Sequence, residues 1–187
     1  MTDRGETLIG SQKVVIGKKP VTVTTGSASK AYDGKKLTSA KTTIKGLETG
    51  ETATVKATGK RTQVGSADNT CQITWGTAKP GNYTVIEKLG KLTVTANDAK
   101  ITLTASSASK TYDGKPLTSA KVTAKGLPEG FTVKASAGGS QTKVGVGENN
   151  VRKNYVIRDA KGVDRTANFT NVKRVKYWRP LPEAPKE

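Results

Sequence analysis

The sequence predicts a mainly β protein made of two tandem copies of one small β-rich domain in an elongated arrangement. Thr-x-Thr and Val-x-Val alternations recur along the 187 residues, and β-branched side chains suit a pleated, half-buried surface. Hydrophobic residues make up only 33% of the chain. That is too little apolar material for one large core, but enough for two small ones.

An internal repeat is the clearest feature of the sequence. Residues 27–47 read SASKAYDGKKLTSAKTTIKGL, residues 107–127 read SASKTYDGKPLTSAKVTAKGL, and 17 of these 21 positions are identical at an offset of 80. The same offset continues without a gap to Gly65 and Gly145. We therefore expect residues 20–65 and 100–145 to share one fold.

The repeat also predicts the domain boundaries. They are a tail strand of a preceding, truncated copy or linker at 1–19, copy one at 20–96, a joint at 97–99, copy two at 100–178 and a proline-rich tail at 179–187. The first part is assigned because Lys13-Val14-Val15 aligns with Thr93-Val94-Thr95 at the same offset. The joint is too short for a flexible tether, so we expect it to be rigid and the chain to belong to a longer array.

Alternation and turn residues place the elements of copy one. The predicted strands are 20–25, 40–45, 52–58, 71–75, 83–87 and 90–95. Turns are expected at Asp33-Gly34 and Asp113-Gly114, because Gly supplies a positive φ. Copy two carries an insertion at 158–167. The residues from Pro180 onwards are too rich in proline for a central strand.

Composition bears on several classes of function. The chain has no His and a single cysteine, Cys71, which argues against general-base catalysis at neutral pH, a thiolate metal cluster and an intrachain disulfide. We therefore expect no enzyme activity, no cofactor and no metal site. No run of 18 apolar residues is present, so we expect no membrane insertion. The net charge of +17 predicts non-specific attraction to polyanions.

A set of motifs occurs twice in the same order: Ser-Lys-Ala/Thr-Tyr-Asp-Gly-Lys-x-Leu-Thr, then Gly-Leu, then Val-Gly. With Asn-Tyr-Thr-Val and Gly-Lys-Leu-Thr-Val-Thr at the end of copy one, this pattern resembles the MBG repeats of bacterial adhesins, mostly Gram-positive. The resemblance covers roughly residues 20–178. It implies a β-dominated fold, with a β-grasp-like one as an option, and a stalk or adhesive role on the bacterial cell surface. The signal and the wall anchor would then lie outside this chain.

One segment combines basic and aromatic side chains. It comprises Lys173, Arg174, Lys176, Tyr177, Trp178 and Arg179. Such a combination suits acidic glycans or nucleic acid, and it is our candidate anion-binding site. The alternative is an ordinary strand with Val175 and Tyr177 inward and the basic side chains in solvent.

The remaining candidates each have a structural interpretation. Tyr32 and Tyr112 precede the Asp-Gly turns, and we expect both rings to pack on the sheet; stacking on a sugar is the alternative. Cys71 is expected to be a small strand residue. A covalent Lys–Asn cross-link, as in pilin-like stalk domains, stays open because the sequence cannot place the buried carboxylate that it needs.

Two functions from different classes follow. The first is a structural stalk or spacer whose partners are neighbouring repeats. The second is a cationic binding module for anionic polymers, with wall or host glycans ahead of nucleic acid.

Overall fold

The computed structural model describes residues 13–175, and this part of the chain is mainly β. The strands of the first half are β1 Lys19–Thr25, β2 Ala28–Ala31, β3 Thr42–Lys45, β4 Ala53–Ala57, β5 Gly65–Asp68, β6 Cys71–Trp75, β7 Tyr83–Lys88 and β8 Lys91–Thr95. Those of the second half are β9 Ile101–Ala105, β10 Val122–Lys125, β11 Thr132–Lys134, β12 Ala137–Gly138, β13 Asn150–Val151, β14 Val156–Arg158 and β15 Val172–Val175. The helical elements are two 3-10 turns, Pro80–Asn82 and Thr166–Asn168.

The chain divides into two compact units that do not coincide with the predicted domain boundaries. Within residues 13–175, the first unit comprises residues 13–27, 39–59 and 68–90, and the second comprises residues 28–38, 60–67 and 91–175. The second unit therefore contains the described part of copy two together with three segments of copy one. The division into two copies at residues 97–99 stays a prediction from the sequence repeat. The contacts between residues instead group parts of copy one with copy two.

The first unit is built on a mixed sheet of order β3-β1-β7 and an antiparallel pair of strands, β4 and β6. In the sheet β1 is central, antiparallel to β3 and parallel to β7. Alternation along β1 buries Val21, Val23 and Thr25, as expected where one face of a strand covers a core. Val21 forms a small core with Ala78 and Tyr83, against which Ile44, Leu47 and Trp75 pack.

The second unit repeats this arrangement and adds a further sheet. Its mixed sheet has the order β10-β9-β15, again with the central strand antiparallel to one neighbour and parallel to the other. Ladders β11–β14 and β12–β13 complete the part from copy two. The additional sheet has the order β2-β8-β5 and is formed by copy one. Its central strand β8 supplies two buried side chains, Leu92 and Val94.

All six strands predicted in copy one are present within one or two residues of their predicted ends. Two further strands, β2 and β5, were not predicted. Their sequences, ASKA and GSAD, have low β propensity, so only the presence of β8 between them explains their extended pairing.

Equivalent glycines of the two copies adopt the same unusual backbone conformation. Positive φ angles occur at four pairs related by the offset of 80, which are Gly34/Gly114, Gly46/Gly126, Gly50/Gly130 and Gly65/Gly145. The turns of the two copies are thus alike even where side-chain burial differs. At Gly46 a β-carbon would also lie 2.6 Å from the carbonyl oxygen of Pro20, so both the φ of 100° and the space demand glycine.

We expect Gly46→Ala to lower the free energy of unfolding by at least about 1 kcal/mol more than Gly50→Ala, because both positions have positive φ but only the first is crowded. Nothing lies within 4 Å of a β-carbon built at Gly50, which makes it the matched control. Urea unfolding of the two variants measures the difference. Equal losses would show that the approach of Pro20 does not constrain this turn.

Candidate functional site

Of the predicted anion-binding segment, the structure describes Lys173 and Arg174. Both are exposed on β15, which lies at the edge of the β10-β9-β15 sheet, while Val172 and Val175 are half-buried. Lys176, Tyr177, Trp178 and Arg179 lie outside the described residues. The described part of the segment therefore contributes two exposed cationic side chains on an edge strand.

Several acidic side chains form ion pairs with basic side chains. The Glu48 carboxylate lies 2.6 Å from the Lys19 ammonium group, and the Asp159 carboxylate lies 2.9 Å from the Arg165 guanidinium. The hydrogen bond from Arg165 lowers the pKa of Asp159. Within residues 13–175 no group of three or more His, Cys, Asp or Glu side chains is placed to hold a metal ion.

Cys71 lies in β6, opposite Ala57, and its side chain is half-buried. Burial raises the pKa of the thiol, and the negative charge of Glu87 adds to the effect. A thiol with a raised pKa is protonated at neutral pH and therefore a poor nucleophile.

The most elaborate side-chain arrangement is an aromatic cluster where copy one meets copy two inside the second unit. Tyr32, from copy one, is 1% exposed. Its ring makes edge-to-face contacts with Phe131 and Phe169 of copy two, at centroid separations of 5.8 and 5.9 Å. Phe131 and Phe169 are themselves 5.4 Å apart. Aromatic pairs at these separations are each worth roughly 0.5–1.5 kcal/mol beyond their buried area.

Polar contacts of Asn97 hold the same region. Its side-chain amide donates to the backbone oxygen of Tyr32 at 2.8 Å. Its backbone NH donates to Asn168 at 2.8 Å, and its backbone oxygen accepts from Thr170 at 3.0 Å. Asn97 is nearly fully buried, so these hydrogen bonds compensate for the loss of water. The first residue of the predicted joint is thus a fixed part of the core.

Strand β8 completes this junction. It is parallel to β2, and Leu92 and Val94 belong to the same buried cluster as Ile101 and Leu103 of β9. The last strand of copy one therefore contributes to the core of copy two. We call the set formed by β8, Tyr32, Asn97, Phe131 and Phe169 the junction.

Each Asp-Gly turn is closed by its own aspartate. Asp33 accepts hydrogen bonds from the Lys35 backbone at 2.9 Å and the Lys30 ammonium group at 2.6 Å, and Asp113 makes the equivalent bonds in copy two. Partial burial alone would raise the pKa of Asp33, but the hydrogen bonds outweigh it and the pKa is lowered. For Asp113 the hydrogen bond from Lys110 is the main cause of a lowered pKa.

The two tyrosines beside these turns differ in burial. Packing was predicted for both rings, which is correct for Tyr32 and wrong for Tyr112, whose residue is 65% exposed. The reason is that the rings covering Tyr32 belong to copy two and follow Tyr32 by more than a whole repeat. Sequence reasoning assigned no role to either ring: Phe131 lies outside the repeated motifs, and Phe169 lies in an Asn-Phe-Thr stretch that was noted only for its similarity to Asn-Tyr-Thr of copy one.

An asparagine, buried in copy one and half-buried in copy two, ties the loops of each copy together. The Asn69 amide donates to the backbone oxygens of Gly26 and Ser39, both at 2.9 Å. The Asn149 amide makes the equivalent bonds to Ser106 and Ser119, also at 2.9 Å. The asparagine and its two acceptor residues have the same spacing in both copies. This explains why the loops keep their shape in copy two.

Comparison of the chain with family models, with curated proteins and with solved structures finds no match. In the part of the chain that the structure describes, no helix is long and apolar enough to cross a membrane.

We expect Tyr32→Ala to lower the free energy of unfolding of the second unit by about 3–5 kcal/mol, as for other buried aromatic residues. Tyr112→Ala is the matched control, since it alters the same motif at an exposed ring and should change stability by less than about 0.5 kcal/mol. Chemical denaturation followed by near-ultraviolet circular dichroism measures both. Similar losses in the two variants would mean that the ring of Tyr32 does not hold the junction.

Proposed function

We propose that this chain is a non-enzymatic stalk or spacer segment of a bacterial cell-surface adhesin of the MBG-repeat type. In this proposal two copies of one small domain follow each other in an elongated array outside the cell. A β-grasp-like fold is part of it. The central position of β1, between antiparallel β3 and parallel β7, favours that assignment.

The junction is the observation that carries the proposal. A spacer must transmit orientation from one repeat to the next, and a flexible linker would lose it. Here Leu92 and Val94 are 0% and 1% exposed in the same cluster as Ile101 and Leu103. Repeat architectures in which each copy buries surface against its neighbour have this property.

Small-angle scattering of the whole chain tests the spacer function. We expect a radius of gyration well above the value of about 16 Å for a compact globule of this length. Tyr32→Ala should broaden the distribution of interatomic distances because it loosens the junction, whereas Tyr112→Ala should leave it unchanged. A compact particle would contradict the spacer. Labelling of intact cells of the source organism with an antibody against the chain tests the location separately.

The second candidate is a cationic module that binds anionic polymers such as wall or host glycans. The exposure of Lys173 and Arg174 on an edge strand favours it, together with the net charge of +17. Attraction of this kind is electrostatic and weakly selective.

We expect replacement of Lys173, Arg174, Lys176 and Arg179 with Gln to weaken heparin binding more than the same change at the exposed lysines Lys45, Lys56, Lys125 and Lys134. Heparin binding by both variants should fall steeply as the salt concentration rises, because neutralised anionic charges release counterions. Affinity measured by fluorescence anisotropy at two salt concentrations provides the comparison. Equal losses in the two variants would assign the attraction to total charge and not to this segment.

A further inference from the structure

The position of β8 in copy one has a counterpart in copy two that no described strand fills. In copy one, β8 lies between β2 and β5. At the offset of 80, β2 corresponds to residues 108–111 and β5 to residues 145–148. In the described chain neither stretch is a strand.

These two stretches line a groove instead. Its volume is about 320 Å³, and its lining includes Ala108, Lys110, Leu117 and Val146. Two apolar side chains near it are strongly exposed, Val144 at 85% and Val146 at 70%. Tyr112, whose counterpart Tyr32 is buried in the junction, follows the lining residue Lys110 by two positions and is exposed. Copy two thus carries the parts of a junction without the strand that would complete it.

The residues that follow β15 are poorly suited to this groove. Two residues separate β7 from β8, and the same spacing after β15 leads to residues 178–182, which include Pro180 and Pro182. A central strand donates backbone NH groups to both neighbours, and proline has none to give. A strand from elsewhere is therefore needed.

The beginning of the described chain supplies a strand of the right kind. Lys13-Val14-Val15-Ile16-Gly17 resembles Lys91-Leu92-Thr93-Val94-Thr95 in having apolar residues second and fourth, although its third residue, Val15, is apolar as well. Val14, Val15 and Ile16 are 91%, 72% and 96% exposed. Aligned in this way, or at the offset of 80, the segment would turn Val14 inward and Val15 outward, because strand faces alternate with a period of two.

We propose that the groove of copy two binds residues 13–17 of a second copy of this chain as a central β strand, so that molecules join head to tail. Addition of a strand to open sheet edges gives affinity through backbone hydrogen bonds and specificity through alternate side chains. In the joined state the segment that follows the inserted strand is β1 of the second molecule, as β9 follows β8 within one chain, with one residue between residues 13–17 and β1 where five separate β8 from β9. The inference extends the proposed spacer function by giving the array a non-covalent joint.

Charge gives this association a distinctive signature. Two molecules of net charge +17 repel each other, and salt screens that repulsion. Self-association through the groove should therefore strengthen as salt is raised, whereas binding to heparin should weaken.

The test is sedimentation of the full chain over a wide range of concentrations at low and high salt. We expect reversible dimers and longer species, favoured by high salt. Val14→Asp with Ile16→Asp should weaken association more than about ten-fold, because each change replaces an inward apolar side chain with a charged group that must lose its water on insertion. Val15→Asp is the matched control and should change it by less than about three-fold. Val146→Asp should weaken association from the groove side, whereas Val163→Asp, in the insertion, should not.

A labelled synthetic peptide of residues 11–18 provides an independent readout. With isotope-labelled full chain, its binding should shift the backbone amide signals of residues 107–110 and 145–149. A chain that stays monomeric and ignores the peptide would overturn the proposal. Association that survives Val14→Asp with Ile16→Asp would also overturn it, because the contact would then belong to another surface. So would a monomer whose residues 107–110 resist hydrogen exchange, because the groove would then be filled by a segment of the same molecule. None of these results bears on the junction, which the Tyr32 variants test separately.

Discussion

Burial of β8 and Tyr32 of copy one in the core of copy two is the constraint on which the second unit depends. A domain of this size buries a modest fraction of its surface and is marginally stable by itself. The fully buried side chains of the cluster include Leu92 and Tyr32 from copy one as well as Ile101, Leu103 and Ile157 from copy two. Neither copy supplies the whole core, so the compact unit is offset from the sequence repeat.

That offset separates what the sequence could predict from what it could not. Strand positions followed from local alternation, and the first β strand of each copy lies where predicted because its inward residues, apart from Thr25, are apolar and the positions between them are Thr. The burial of tyrosine did not follow. Tyr32 and Tyr112 have nearly identical neighbours in sequence, but one is 1% and the other 65% exposed. Burial here depends on a following copy and not on local pattern.

The candidate site shows the same division. The segment at 173–179 was predicted as a site because its basic and aromatic composition can be read from the sequence. Its two described residues, Lys173 and Arg174, are exposed in the way that solvated residues of an ordinary strand are. The junction carries no unusual composition. Phe131 and Phe169 stand where copy one has Glu51 and, in the corresponding Asn-Tyr-Thr stretch, Tyr83. The available signal was the aromatic residue Phe131 at a position where copy one has Glu51.

Charge and packing are arranged so that one hardly affects the other. Lys45, Lys56, Lys125 and Lys134 occupy the outward positions of their strands, beside inward residues that are half-buried. Exposed charges are screened by salt, and we expect these lysines to contribute little to the stability of either unit. The contacts that hold the junction are apolar or are short buried hydrogen bonds, which salt does not screen. The number of basic residues can therefore vary, and with it the attraction to anionic polymers, while the joint between copies keeps its geometry.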